Sequence, residues 1–311
     1  MANSTLLALF QNTMQGMGVA SYGNPATVIG NSNQDVVQTL ALVNMAGRGL
    51  NRERDWQAAQ TQYIFTAPYY TYTATVVSGN TTISALSSTT GLTTNPTYFM
   101  PVGTGILQDT FLVSVAAGPA TAVLSQAPNA SGTGVSITFS QVLFDPPADF
   151  DRQIDRTHWD KSKHWEMLGP STPQQQEWLR SGWISTGPRI RYWYKGGRFQ
   201  IWPPLGSTES LAYEYQSTYW VRATGATAVS KSAFAVDTDT CIFPDPLMEA
   251  LIRLKYFEIK GFDTTALKLD YDMQLDLAKA HDAGSNTLNM APRRSNPLIG
   301  WDNIPDSGYG T

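Results

Sequence analysis

The stretch "TYTATVVSGNTTISALSS" (residues 71–88) alternates β-branched, aromatic and small polar residues and reverses at Ser78-Gly79-Asn80. Period-2 alternation bounded by turn formers is typical of short β-strands. Three more stretches, "TFLVSVAAG" (110–118), "TAVLSQA" (121–127) and "GVSITFS" (134–140), repeat the pattern. Together they predict an all-β module, either a sandwich or a small barrel.

The charge distribution marks where this module begins and ends. Residues 66–144 contain 79 residues and a single charged side chain, Asp109, although 15% of the whole 311-residue chain is charged. Charges return on both sides. The sequence therefore predicts an inserted β-sandwich-like domain at 66–144 and assigns 1–65 and 145–284 to one body.

The N-terminal flank predicts two helices. The first lies within residues 3–18. The second begins with Ser32 or Asn33 as its N-cap and runs for five or more turns, with a break expected near Gly47 and Gly49. Its inward face is predicted from apolar residues at helical spacing, namely Val36, Leu40, Val43 and Ala46.

The C-terminal flank predicts a β-hairpin followed by a helical hairpin. The β-hairpin turns at Gly196-Gly197. Two helices within 245–284 are separated by Gly261, and residues 285–311 lack any periodicity. The predicted inward stripe of the last helix is Leu267, Tyr271, Leu275 and Ala278. The predicted class is α+β, with a helical bundle, an antiparallel β body, the inserted β domain and an extended C-terminal arm.

Composition excludes several classes of function. Cys241 is the only cysteine, so neither an intrachain disulfide nor a thiolate metal site is expected. The net charge of −4 gives no global basic field for tight nucleic-acid binding. The chain has no basic N-terminal region of a signal peptide and no apolar run near the roughly 20 residues of a membrane helix. We expect a protein that is folded in the cytoplasm and does not enter a membrane.

The segment "DRTHWDKSKHW" (155–165) raises the question of a metal or catalytic site, because it holds two of the three histidines. On an extended strand His158 and His164 would lie about 20 Å apart, and a third ligand is missing. We therefore expect both histidines at the surface or facing a partner. Ion pairs are expected where basic residues alternate with the acidic ones, namely Asp149, Asp151, Asp155, Asp160 and Glu166.

The predicted β-hairpin mixes basic and aromatic side chains. Such a pattern can bind single-stranded nucleic acid by stacking. The commoner interpretation is an amphipathic strand, with Tyr192 and Tyr194 facing inward and Arg191 and Trp193 facing outward. The chain contains no GxSxG, P-loop or GxGxxG motif in a strand–helix context. No catalytic residue, cofactor-binding residue or metal ligand is assigned.

Five stretches outside the inserted domain together resemble head-to-tail adaptor (connector or neck) proteins of tailed bacteriophages, the short-tailed phages in particular. The stretches are "QDVVQTLALVNMAGRGLNRERDWQAAQ" (34–60), "PPADFDRQIDRTHWDKSKHWEMLGP" (146–170), "PQQQEWLRSG" (173–182), "GPRIRYWYKGGRFQIWPPL" (187–205) and "CIFPDPLMEALIRLKYFEIKGFD" (241–263). The resemblance covers about 1–62 and 145–285. Residues 71–139 separately resemble a β module that recurs in phage virion proteins.

The resemblance implies an architecture and a set of partners. Such adaptors form a homo-oligomeric ring, usually of twelve copies, under the portal protein, and a tail nozzle or tube protein attaches below. Double-stranded genomic DNA passes through the lumen without specific binding. The implied location is the virion neck, assembled in the host cytoplasm, with no cofactor, no enzymatic activity and no membrane. Tail fibres are a further candidate partner, and no motif identifies the lumen residues.

The arm at 285–311 is the segment that the resemblance places on the portal. It has no apolar face with which to fold alone, so we expect it to become ordered on a partner. Its predicted docking residues are Met290, Arg293, Arg294, Leu298, Ile299 and Trp301. A tail-tip or carbohydrate-binding virion protein is the alternative function. It suits the aromatic residues and the β insert but leaves the helical hairpin and the arm unexplained.

Overall fold

The computed structural model describes residues 3–17, 25–181 and 189–282. Within these ranges the chain combines five α-helices with several antiparallel sheets, which confirms the α+β class at that level. The helices are α1 (Leu6–Met17), α2 (Gln34–Glu53), α3 (Pro173–Arg180), α4 (Asp245–Lys260) and α5 (Thr265–Asp282).

Sixteen strands are present in the same ranges. In chain order they are β1 (Gln60–Ala67), β2 (Tyr69–Val76), β3 (Thr82–Ile83), β4 (Phe99–Gly103), β5 (Leu112–Ala116), β6 (Thr121–Leu124), β7 (Gly132–Gln141), β8 (Leu143–Phe144), β9 (Phe150–Gln153), β10 (Trp159–Asp160), β11 (Trp165–Glu166), β12 (Arg191–Lys195), β13 (Arg198–Trp202), β14 (Glu209–Ser217), β15 (Val221–Arg222) and β16 (Thr240–Cys241).

Helices α1, α2, α4 and α5 contribute to one apolar core. The Asn33 side chain caps α2, and Gly261 ends α4 in the left-handed conformation at φ 71°. The Ser4 hydroxyl donates to the Asp245 carboxylate at 2.6 Å and fixes the start of α1 beside the start of α4. The predicted inward face of α2 is confirmed, since Val36 and Val43 are buried and Leu40 and Ala46 pack against the core.

The predicted break in α2 is wrong, because the helix continues from Gln34 to Glu53. The reason lies in the packing around Gly47. A Cβ atom on this residue would lie 2.4 Å from Cζ2 of the Trp220 indole, so the missing side chain lets the ring approach the helix. At Gly49 nothing lies within 4 Å of a Cβ position. The glycine that suggests a break is used for close packing.

This contrast predicts opposite effects of the same substitution at two neighbouring positions. Gly47→Ala should lower the free energy of unfolding by about 1–2 kcal/mol, because the overpacking cost exceeds the gain in helix propensity. Gly49→Ala should raise it by up to about 1 kcal/mol, because only the propensity changes. Urea unfolding followed by circular dichroism would measure both. Equal effects of the two substitutions would contradict the packing role of Gly47.

The body strands form two sheets that meet in a second core. One sheet has the order β1-β14-β10-β11, with β9 also paired to β14, and the other has the order β12-β13-β8. Strands β1 and β14 are antiparallel, with Tyr63 opposite Tyr213. The β12–β13 hairpin turns at Gly196 and Gly197 as predicted. Trp193, however, is not on an outer face. It is 1% exposed and shares the second core with Leu179 of α3.

Two further sheets lie within residues 66–144. They have the orders β2-β7-β4 and β3-β6-β5, and residues from both share a third core. The chain reaches them from β1, which pairs with β14, and leaves them into β8, which pairs with β13. The amide of Gln141 donates to the carbonyl of Pro68 at 3.1 Å, so the chain enters and leaves this region at adjacent points.

Candidate assembly surfaces

Helix α5 presents a row of apolar side chains to solvent. Leu269, Met273 and Leu277 are 68%, 55% and 48% exposed, and they follow one another at intervals of four residues. Residues spaced in this way lie on one side of a helix. We call these three residues the α5 stripe. The opposite side of the helix faces the helical core through Leu275 and Ala278, as the sequence predicted.

Helix α2 exposes a similar but smaller row. Val37 is 44% exposed and Met45 is 58% exposed, with the exposed Ala41 between them at the same four-residue spacing. We call these residues the α2 stripe. Single exposed apolar side chains are ordinary, but rows of them on helix faces mark interaction surfaces. The helical part of the molecule therefore carries two apolar faces that its own core does not cover.

The α5 stripe is a surface that the sequence prediction missed. The helix contains two apolar rows, and the prediction identified only the one that faces the core. The signal was present as Leu269, Met273 and Leu277 at four-residue spacing. Exposed charged residues, including Asp272 and Asp276, flank the stripe. An apolar centre with a polar rim is typical of protein interfaces.

The predicted docking residues of the arm lie outside the described residues. These are Met290, Arg293, Arg294, Leu298, Ile299 and Trp301. Helix α5 ends at Asp282, so the arm follows directly after the helix that carries the α5 stripe.

The two histidines of the 155–165 segment have different environments. His164 is exposed at φ 58° in the turn between β10 and β11, as expected of a surface residue. His158 is fully buried, so the surface interpretation of this residue is wrong. Its ring stacks on Tyr192 at a centroid distance of 3.8 Å and lies 5.3 Å from the ring of Tyr213. Pairing of β10 with β14 carries the preceding residue into the second core.

Burial determines the protonation state of His158. Within the described parts of the chain neither of its ring nitrogens has a hydrogen-bond partner. Burial lowers the pKa of His158 from 6.5 to about 4. Burial also raises the pKa of Tyr194 to about 12 and moves the pKa of Tyr192 and of Tyr213 above the usual range. At neutral pH this aromatic cluster is therefore uncharged.

The buried imidazole predicts a loss of stability in mild acid. Between pH 6.5 and pH 4 the unfolded chain protonates His158 while the folded protein does not. The contribution of His158 to the free energy of unfolding is therefore greatest above pH 6.5 and decreases as the pH falls through this window. The total decrease is about 3 kcal/mol. Urea unfolding at a series of pH values would measure the slope.

Two variants isolate the contribution of His158 to that slope. His158→Phe should keep the ring stacking, retain stability at pH 7 and remove this part of the slope, since an apolar ring needs no hydrogen bonds. His164→Gln is the matched control, because it replaces the histidine of the same segment that lies outside the aromatic cluster. A wild-type slope in His158→Phe would show that other groups cause the acid sensitivity.

The carboxylates near this segment form ion pairs and hydrogen bonds. Arg156 lies 3.9 Å from Glu166, and the other pairs reach more distant parts of the chain: Arg52 with Asp151, Arg152 with Asp55, and Lys163 with Glu209. Of the five carboxylates for which ion pairs were predicted, Asp151 and Glu166 form them among the described residues, and Asp151 pairs with Arg52 outside the segment.

Two of the carboxylates accept hydrogen bonds that hold the local backbone and side chains. Asp149 accepts from the hydroxyls of Tyr215 at 2.9 Å and Ser217 at 2.6 Å, and Asp160 accepts from the amides of Ser162 and Lys163. The buried Glu209 has a raised pKa, first because of burial and then because of Asp160, against the opposing effect of Lys163. These contacts give the carboxylates structural roles.

The described ranges hold neither a metal cluster nor a membrane-spanning helix. Residues 3–17, 25–181 and 189–282 contain no group of three or more side chains placed to hold a metal ion. In the same ranges no helix is both long enough and apolar enough to span a bilayer.

Comparison with known proteins gives no match, either to protein-family models or to curated proteins.

Proposed function

We propose that the protein is a structural virion protein of a tailed bacteriophage, a head-to-tail adaptor. It forms a ring between the portal and the tail nozzle or tube and provides the channel for genome passage. The observation that carries this proposal is the α5 stripe, because a row of exposed Leu and Met side chains on one helix face is typical of a surface that binds another protein. The five stretches of family-like sequence support the same function.

The proposal assigns a role to each part of the chain. Helices α1, α2, α4 and α5 form the bundle that faces the portal, on a body made of 1–65 and 145–284. Residues 66–144 form an inserted β-sandwich module on the outside of the ring. Residues 285–311 extend as an arm onto the portal. The shared helical core and the two sheets within 66–144 support this division.

The two apolar stripes suit a cyclic assembly. In a closed ring each subunit presents two different faces to its neighbours. The α2 stripe and the α5 stripe are two such faces on one subunit. Burying a Leu or Met side chain contributes roughly 1.5–3 kcal/mol, so contacts of modest size repeated around a ring stabilise it.

Charge supports the passage of DNA through such a ring. Each copy carries a net charge of −4, so twelve copies sum to about −48. A basic lumen would gain affinity for every phosphate that it neutralised and would hold the genome. An acidic ring repels the phosphate backbone, and DNA can slide.

The α5 stripe gives the test of this function. Wild-type protein should add to portal-bearing heads in about twelve copies, counted by quantitative mass spectrometry and cryo-electron microscopy. The variant Leu269→Ser/Met273→Ser should remain folded, because both side chains are exposed in the subunit. Its occupancy on the heads should fall at least tenfold, which corresponds to a loss of about 1.4 kcal/mol or more of binding free energy at the centre of the interface. Val113→Ser is the matched control, because Val113 is 49% exposed on β5.

One outcome would overturn the proposed function, and another would exclude only the surface assigned to it. Failure of the wild-type protein to join portal-bearing heads would overturn the adaptor function. Normal occupancy by the Leu269→Ser/Met273→Ser variant would leave the function standing but exclude the α5 stripe as an assembly surface.

A further inference from the structure

A groove runs between the body strands β1 and β8 on one side and the β2-β7-β4 sheet with the loop before β4 on the other. It has a volume of about 380 Å³, within the range of small-molecule sites. Six aromatic side chains line it, three from the body strands β1 and β8 and three from residues 69–141. They are Tyr63, Phe65, Phe144, Tyr70, Tyr98 and Phe99. The groove exists because the two parts of the chain meet at Pro68 and Gln141.

The aromatic rings of the groove are ordered by their neighbours. Tyr63 and Phe65 stack with centroids 5.3 Å apart and both are only partly buried. Tyr70 lies over Gly91, where a Cβ atom would approach its hydroxyl oxygen to 2.4 Å. The glycine therefore makes room for the ring on that side of the groove. Tyr63, Phe65 and Tyr70 are the partly exposed rings of the groove, whereas Tyr98, Phe99 and Phe144 are buried beneath it.

A carboxylate in the groove is held in place by two donors. The Tyr98 hydroxyl donates to both oxygens of Asp145, at 2.9 and 2.8 Å, and Nε of Arg198 donates to Oδ1 at 3.0 Å. The Arg198 guanidinium also lies over the Tyr98 ring, 4.8 Å from its centroid. Asp145 nevertheless remains 56% exposed, so it can accept further hydrogen bonds.

An amide oxygen adds a second acceptor. Nε2 of Gln141 donates to the carbonyl of Leu143 at 2.8 Å, which fixes the side chain and leaves Oε1 as an acceptor. The groove thus combines aromatic faces with two oriented acceptor groups, Asp145 and Gln141.

We propose that this groove binds a neutral oligosaccharide. One face of a sugar ring is made of C–H groups and packs on aromatic rings, and Tyr presents both an apolar face and a polar hydroxyl. The hydroxyl groups of the sugar donate to a carboxylate, and hydrogen bonds of this kind are among the stronger ones in proteins. Asp145 and Gln141 are placed to receive them.

Charge argues against a nucleic acid in the same groove. Single-stranded nucleic acid also stacks on aromatic side chains, but it requires a positively charged path for its backbone. Here the charge of Arg198 is balanced by Asp145, with which it is paired. An anionic polysaccharide meets the same obstacle. The inference goes beyond the adaptor function and does not depend on it, because the groove lies within one subunit.

The test uses the full-length protein on a glycan array that carries neutral, sialylated and sulfated oligosaccharides. We expect neutral oligosaccharides to be retained, and the best of them to bind in calorimetry. Asp145→Asn and Tyr70→Ala should each weaken that binding about tenfold or more, the loss expected for a hydrogen bond to a charged group or for one stacking surface. Trp178→Ala is the matched control, since Trp178 is 55% exposed on α3 and outside the groove.

The variants show whether a retained glycan sits in the groove or elsewhere on the protein. Thermal melting of each variant shows whether the fold is kept. If Tyr70→Ala does not fold, Asp145→Asn still tests the groove, because Asp145 lies at an exposed position. Retention of no neutral glycan, or of acidic glycans only, would overturn the proposal. Equal weakening by Trp178→Ala and by Asp145→Asn would also overturn it, because binding would then lie elsewhere.

Discussion

Removing residues 69–141 and joining Pro68 to Val142 through a Gly-Gly linker should leave a folded body. The two ends already lie side by side, since the amide of Gln141 donates to the carbonyl of Pro68 at 3.1 Å. A short turn can therefore close the chain, and each body strand keeps its partner. A cut from Gln62 to Asp145 should instead abolish cooperative unfolding.

The second cut fails because it removes paired strands of the body. Residues 63–67 of β1 lie opposite residues 209–213 of β14, and Leu143 and Phe144 form β8, which pairs with β13. The cut would also take Phe144 out of the second core and leave part of β14 unpaired. Losing several buried aromatic and apolar side chains at about 3–5 kcal/mol each exceeds the stability of an ordinary domain.

The first cut has a smaller and definite cost. Met100 of β4 belongs to the second core, and Arg180 loses its partner Asp109, which its guanidinium contacts at 2.6 Å. We expect the excised protein to lose about 2–5 kcal/mol, the usual cost of removing a buried Met side chain, and to remain folded. Near-ultraviolet circular dichroism and urea unfolding would distinguish the two proteins. Loss of cooperative unfolding after both cuts would mean that residues 69–141 are part of the body core.

Deleting residues 285–311 should give a folded protein that no longer joins portal-bearing heads. The sequence of the segment has no periodic apolar face, so the proposed function assigns its apolar side chains to contacts with the portal. Trp301, Arg293 and Arg294 are of the residue types that dominate binding energy at interfaces. In the proposed ring the arms would act together, and deletion would remove all of their contacts at once.

Point substitutions in the arm should cause smaller losses of binding to portal-bearing heads than the deletion does. Trp301→Ala should weaken assembly by a few kcal/mol per subunit at most, within the range of interface hot spots. Replacing Arg293 and Arg294 with Ala should slow association most at low salt, because charge complementarity acts on encounter. Binding to portal-bearing heads by sedimentation measures each step, and thermal melting shows that the fold is kept. If the protein without residues 285–311 still joined heads normally, the docking role would have to be assigned to the α4–α5 hairpin instead.

Local pattern in the sequence was enough to predict the main helices and the β12–β13 hairpin of this protein. Val36 and Val43 lie at helical spacing and face the core, and Gly196-Gly197 make the turn of a β-hairpin. Most of the nearly uncharged stretch 66–144 forms two sheets that share their own core, but its two ends lie in the body strands β1 and β8. Such features could be predicted because helix and strand periods and turn chemistry are properties of neighbouring residues.

The tertiary structure alone decided the environment of individual side chains. His158 and His164 look alike in the sequence, but only His158 is carried into the aromatic core by the pairing of β10 with β14. Trp193 stands on the predicted outer side of a strand and is buried because other segments cover that side. Gly47 looks like a helix break and is a contact for Trp220. Whether a face is covered depends on what a distant part of the chain places over it, and the local period of the sequence carries no information about that.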